Sequence, residues 1–336
     1  MNSKLEHIQH SINSHPVFRI VLRAIGLRVL LLATTIAVAG SSFAQSGAQT
    51  NGTTIAINSS AAGDGDPNAN AAVTKPSQRS TQPGESATSD QEAAKNAAQN
   101  PLANTISVPF QNNTYNNVGP EKGTVNALIV EPVIPIKLNA NWNIITRTIV
   151  PILRTPSLGP GSDSVSGLGN IQPQFFFSPS RPGPGRIIWG IGPQLWLPTA
   201  TNDRLGVNKL GGGVDGVVVT SRGHFMFGSL VNNQWTGQND QHRRVNQFTL
   251  NPFIFYNFKK GWYVVSSPVM TADWTAKPGD KWTVPVGGGV GRIFKVGAQP
   301  LNARVQFWKD VKTPTFGQSW TMQAQIQFLF IRKPKA

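Results

Sequence analysis

The sequence predicts an all-β protein: a transmembrane, up-and-down antiparallel β-barrel of about twelve strands, preceded by a signal peptide and a disordered segment. Three observations carry this. Residues 101–336 hold 27 of the chain's 29 aromatic side chains. Apolar and polar residues alternate there with the period of two that marks a strand with unlike faces. Short turns also alternate with longer polar loops, as in a barrel whose connections are short at one end and long at the other.

Composition narrows the field. With 33 Gly and 25 Pro among 336 residues, a helical fold is disfavoured. The absence of cysteine excludes disulfides, thiolate metal sites and cysteine catalysis. The net charge of +15 is uneven: +3 over residues 1–44, −2 over 45–100 and +14 beyond.

Residues 1–44 read as an export signal. Arg19, Arg23 and Arg28 precede the apolar run 29–39, and small residues lead to Ser42-Phe43-Ala44, with cleavage expected after Ala44. The run is short for a membrane anchor. Residues 45–100 lack aromatics and read as a disordered periplasmic linker. Within it, Ser89-Asp90 caps a run of helix formers closed by Asn100-Pro101, which predicts a short helix near 90–99. The barrel is expected over 101–331, with a basic tail at 332–336.

Twelve strands parse at about 104–112, 124–138, 142–154, 169–179, 186–198, 212–221, 223–235, 244–258, 261–274, 281–294, 299–311 and 317–331. Trp320–Phe328 alternates without a break. Pro132, Pro135, Pro151, Pro173, Pro193, Pro252, Pro268 and Pro285 fall inside strands, where each removes a ladder donor, so kinks or bulges are expected.

Trp142, Trp262, Trp282 and Trp320 open strands, and Trp235 and Trp274 close them, as an interfacial aromatic girdle requires. A soluble sandwich would gather its aromatics mid-strand. A charge inside a membrane barrel should face the lumen, since on the lipid side it costs roughly 2–4 kcal/mol at the midplane. Alternation places Glu131, Lys137 and Arg147 inward, with Glu131 diagonally across from Arg147. Asp215, Asp273, Arg304 and Asp310 are further pore-lining candidates. Gln174, Gln194, Gln323, Gln325 and Gln327 would supply an uncharged hydrogen-bonding wall.

Several runs carry a family resemblance: Asn100-Pro101-Leu102-Ala103, Val108–Asn113, Glu131-Pro132-Val133-Ile134-Pro135, Trp142–Thr148, Asn251-Pro252-Phe253, Tyr256-Asn257-Phe258, Gly261-Trp262-Tyr263 and Lys281–Gly291. On these the barrel region resembles a family of bacterial outer-membrane proteins often misnamed neuromedin U, and is similar to barrels of the MetA-pathway phenol-degradation family. The resemblance implies a transmembrane barrel with a transport role, and supplies no catalytic residues. Such barrels commonly end on an aromatic residue read by the barrel assembly machinery. Here Phe330 is followed by Ile331 and the basic tail.

Other chemistries fit poorly. Gly211, Gly213 and Gly216 spell G-x-G-x-x-G, but Val217-Val218-Val219 continues a strand where a phosphate site needs a helix. The Gly287–Gly291 cluster is expected to let a strand bend or to leave room in the lumen. After signal cleavage His224 and His242 remain, at opposite ends of the barrel, and no G-x-S-x-G or H-E-x-x-H occurs. No catalytic, cofactor or metal site is therefore expected. Lys and Arg cluster in turns and loops, which suits outer-membrane lipid, lipopolysaccharide or anionic solutes better than nucleic acid. The expected role is a passive channel for small solutes in the outer membrane. A non-conducting structural or adhesive barrel and a lipid-acting barrel enzyme are the alternatives.

Overall fold

The computed structural model describes residues 83–331 apart from 158, 160 and 161. The expected signal peptide, the linker as far as residue 82 and the basic tail lie outside the described residues. Among the described residues, fifteen strand segments follow one α-helix, α1 (Pro83–Gln99). In chain order they are β1 (Ile106–Val118), β2 (Gly123–Val130), β3 (Val133–Lys137), β4 (Trp142–Thr155), β5 (Val165–Leu168), β6 (Gln172–Pro179), β7 (Ile188–Trp196) and β8 (Gly211–Arg222). Then come β9 (Phe225–Thr236), β10 (Asn246–Asn257), β11 (Trp262–Ser266), β12 (Met270–Asp273), β13 (Trp282–Val296), β14 (Gln299–Lys312) and β15 (Trp320–Phe330).

Three pairs of segments are single strands with a break: β2 with β3, β5 with β6, and β11 with β12. β2 and β3 both pair with β1 and β4, β11 and β12 both pair with β10 and β13, and β5 and β6 both pair with β4. Twelve antiparallel strands result, and β15 pairs with β1 from Ile106↔Phe330 to Asn116↔Trp320, closing the barrel.

The wall is inverted relative to a soluble protein. Along β14, Gln306 is 0% exposed while the next residue, Phe307, is 53% exposed. The same alternation puts Gln174, Gln194, Asn302 and Gln323 inside and Val214, Val218, Ile254 and Val290 outside. An outer surface this apolar is stable only in lipid, and closure leaves no unpaired strand edge there.

Two of the breaks follow proline. Glu131-Pro132 separates β2 from β3, and Ser267-Pro268 precedes β12. Pro285 sits at a register shift between β13 and β14. Pro173 and Pro193 thin the β6–β7 ladder, where the paired residues are Gln174↔Gln194 and Phe177↔Ile191. Gly192 lets these strands close up, because a side chain there would strike the Phe175 carbonyl. Pro135, Pro151 and Pro252 sit within paired stretches without interrupting them.

Two elements differ from the sequence expectation. The polar run 113–117 was expected in a loop, but β1 continues to Val118 and turns within Gly119–Lys122. Cross-strand amides hold it as strand: Asn112 and Asn126 exchange bonds of 3.0 Å, and Gln323 Nε2 donates to Asn113 Oδ1 at 2.9 Å. The helix begins at Pro83, earlier than the expected 90–99; a proline in the first helical position gives up only an N–H that has no partner anyway. Asn100 ends it, its Oδ1 accepting from the Leu102 N–H at 2.9 Å.

The six expected girdle tryptophans, Trp142, Trp235, Trp262, Trp274, Trp282 and Trp320, are all exposed on the outer face. Trp142 stacks edge-on with Trp189 at the short-turn end, and Trp274 with Trp282 at the long-loop end, at centroid distances of 6.0 and 5.8 Å. The long loops are stitched to one another. Arg243 Nη2 donates to the Asp203 carbonyl at 2.7 Å, and Asp280 Oδ1 accepts from the Thr315 N–H and hydroxyl at 2.8 and 2.9 Å.

Candidate functional site: a two-chambered lumen

The inner wall changes character along the barrel axis. At the short-turn end it is apolar. Val219, Met226, Phe253, Phe255, Tyr263, Val265, Ile293 and Leu329 form a socket that receives Ala94 and Ala97 of α1. These alanines are one helical turn apart and present a narrow, smooth face. Gln99 and Asn257 lock the junction by exchanging side-chain amide bonds of 2.8 and 3.1 Å. Beyond the helix, Leu102 packs on Ile145, Phe176, Val217 and Leu230. Residues 94–102 thus fill this end of the lumen. Gly291 makes room for the Tyr263 ring, as expected of that glycine cluster.

Further in, the wall is built from amides joined around the circumference. One chain runs Asn113–Gln323–Gln306–Ser267. A second runs Ser107–Gln327–Asn302–Tyr263. A third links Asp215, Gln174, Gln194 and Gln234. Gln323, Gln327, Asn302 and Gln194 each donate to one neighbour and accept from the other, while Gln306 and Gln174 each donate to two, so the inner wall is held largely by uncharged amides.

A cavity of about 490 Å³ occupies the middle and long-loop part of the lumen, and one of about 130 Å³ lies against residues 97–105. Six residues line both: Glu131, Arg147, Leu230, Asn251, Ser267 and Arg304. They come from strands around the barrel and form a waist between the chambers. The proline breaks serve it directly. Glu131 and Ser267 are the residues preceding Pro132 and Pro268, and Asn251 Nδ2 caps the carbonyls of Ser267 and Pro268 at 3.2 and 2.8 Å.

The charges are distributed as follows. Arg147 Nη2 lies 2.9 Å from Glu131 Oε2, both side chains being largely buried, and Val133↔Arg147 pairing sets the diagonal relation. Arg304 faces the waist; its Nη2 reaches Gln111 Oε1 at 3.4 Å and its Nε has no protein partner. Asp310 lines the larger cavity with neither carboxylate oxygen bonded. Asp215 is fully buried in the wall and accepts from Gln174 Nε2 at 3.0 Å. Lys137 is exposed at the short-turn end of β3, and Asp273 is exposed at the end of β12, where it accepts from the Thr275 N–H at 2.8 Å. The structure therefore brings Glu131, Arg147, Arg304 and Asp310 to the cavities and leaves Lys137 and Asp273 at the rims.

Sequence reasoning missed Leu230, Asn251 and Ser267. The Ser267-Pro268 dipeptide inside a strand was the available signal for one of them. His224 Nδ1 lies 2.9 Å from the Asn257 carbonyl at the short-turn end, while His242 sits in the loop after β9, so the fold does not bring the histidines together.

No family model matches the sequence, and no curated protein matches it. Among solved structures, an outer membrane channel from Pseudomonas putida F1 is similar, with a TM-score of 0.53 and 17% identity over 67% of this chain and 95% of that one. The CymD monoaromatic hydrocarbon channel matches with a TM-score of 0.41 and 8% identity over 72% of this chain and 93% of its own. The NanC porin matches with a TM-score of 0.41 and 8% identity over 68% and 100%. The first of these likenesses establishes a shared barrel fold.

Proposed function

We propose that the chain is an outer-membrane channel for passive passage of small solutes, held closed from the short-turn side by α1. The observation that carries this is the two-chambered polar lumen meeting at a six-residue waist. A barrel serving only as scaffold has no use for an amide-lined cavity with unsatisfied Asn232, Trp308 and Asp310 atoms on its wall. Twelve strands give a bore between filled eight-stranded barrels and open porins, which suits solutes filtered one at a time. The resemblance to the family misnamed neuromedin U, with its transport role, supports the same reading.

On this reading the short turns and α1 face the periplasm, the long loops face outward, and the exposed Trp rings sit at the two lipid interfaces. Export by a cleaved signal and insertion by the barrel assembly machinery complete the picture, with lipopolysaccharide as the outer-leaflet neighbour. Glu131, Arg147 and Arg304 act as the filter at the waist, with Asp310 beyond it. Planar-bilayer recording of the refolded full chain tests the proposal. Discrete conductance steps, enlarged when α1 is undocked, are expected. A folded, heat-modifiable barrel that conducts neither with α1 docked nor with it undocked would leave a non-conducting barrel as the only reading.

A further inference from the structure

The amide chains Asn113–Gln323–Gln306–Ser267 and Ser107–Gln327–Asn302–Tyr263 lie on either side of one row that is not satisfied. Strand register places Gln111, Gln325 and Arg304 in it, Gln325 facing Gln111 on β1 and Arg304 on β14. In the two flanking chains every link measures between 2.7 and 3.2 Å. Within this row the bond is the 3.4 Å contact from Arg304 to Gln111, with Arg304 Nε unpartnered. Glu131, the carboxylate at the same waist, is already committed to Arg147. Arg304 is half-buried, and its buried Nε–H, left without a protein partner, carries the desolvation cost of an unmet donor on a charged group.

We propose that the Gln111–Gln325–Arg304 row is a binding step for a small monocarboxylate with an apolar body. This rests on the channel reading. The fork of Arg304 matches a carboxylate in two parallel hydrogen bonds, which an ammonium cannot do. The Gln325 amide supplies a further donor beside it. One unpaired fork answers one negative charge. A dianion finds no second free cation at the waist, and it would meet Asp310 further along the same face of β14. Leu230 at the waist, with Ile129 and Val269 in the larger chamber, offers apolar wall for the rest of the solute.

Sodium benzoate is the probe, with benzamide as its uncharged counterpart, titrated calorimetrically into the refolded full chain in detergent. Benzoate should bind at least about tenfold more tightly than benzamide, the size expected of a charge-assisted pair. Arg304→Gln should abolish that preference, and Arg304→Lys, which keeps the charge but not the fork, should retain only part of it. Equal binding of the two probes, no binding of benzoate, or undiminished benzoate binding by Arg304→Gln overturns the site. If Arg304→Gln fails to fold, the benzoate-to-benzamide ratio of the unaltered protein decides alone. Arg304-dependent benzoate binding without conductance would sink the channel and keep the site. Conductance without benzoate preference would do the reverse.

Discussion

The two halves of the inner wall follow one alternation and end with opposite chemistry. At the short-turn end the inward positions of β8 to β11 are Val219, Met226, Phe255 and Val265, and a helix of the same chain covers them. In the middle the inward positions are Gln174, Asn232, Gln306 and Gln323, and they line a cavity or bond one another. Inward apolar residues in a barrel that is already apolar outside make sense only with a protein partner. Inward amides suit water and polar solutes. The residues facing the lumen thus record what occupies each level of it.

The strongest way to break the contrast is to charge the apolar half. Ala97→Glu would force a carboxylate into the socket, at a cost of several kcal/mol unless the helix leaves. The expected outcome is a barrel that stays heat-modifiable while conductance of the full chain rises to its undocked level. Unchanged conductance with α1 proven undocked by protease accessibility would show that the helix does not close the pore.

A smaller effect follows at the waist. Arg147→Ala strands Glu131, and leaving a largely buried acceptor unmet costs about 1–3 kcal/mol. Reversal potentials should move toward cations, whereas Glu131→Gln should move them toward anions. A shift of the same sign from both variants would contradict the paired arrangement.

Gln99→Ala tests the seam between the halves. It removes two amide bonds to Asn257, worth about 0.5–1.5 kcal/mol each, so the closed state should open more often without the helix being lost. Single-channel open probability reads this directly.

The least change is expected at the rim. Bonds from the Thr315 backbone and hydroxyl hold the Asp280 carboxylate below its ordinary value of 3.8. A depressed carboxylate lends stability above that value and loses it as pH falls through the lowered one. The clamp between the loops at 274–281 and 313–319 should therefore loosen only below pH 3.8. Amide exchange at Thr315 that does not change across that range would remove Asp280 from the clamp.

Much of the frame was legible because alternation and turn spacing are local. Trp320–Phe328 and Leu301–Phe307 could be read residue by residue, and the girdle tryptophans followed from strand ends. The Glu131–Arg147 geometry followed from one turn at Asn139–Asn141. The long polar end of β1 was not legible, since Asn113 and Thr114 become strand residues only through partners on β15 and β2. The socket was equally hidden. Ala94 and Ala97 have no apolar signature of their own, and their burial depends on residues gathered from six strands. Asn251 joins the waist only because a break on the neighbouring strand offers it two carbonyls.

Leu329, one residue from the end of β15, is part of the socket that holds α1. It takes its place only when the last strand has paired with the first. The seat for the helix is therefore complete only in a finished barrel. During assembly the chain's earliest described segment has to wait for its latest one, so the wall is built before it is stoppered. A nascent or misregistered barrel would stay unsealed, and leakiness would report incomplete closure.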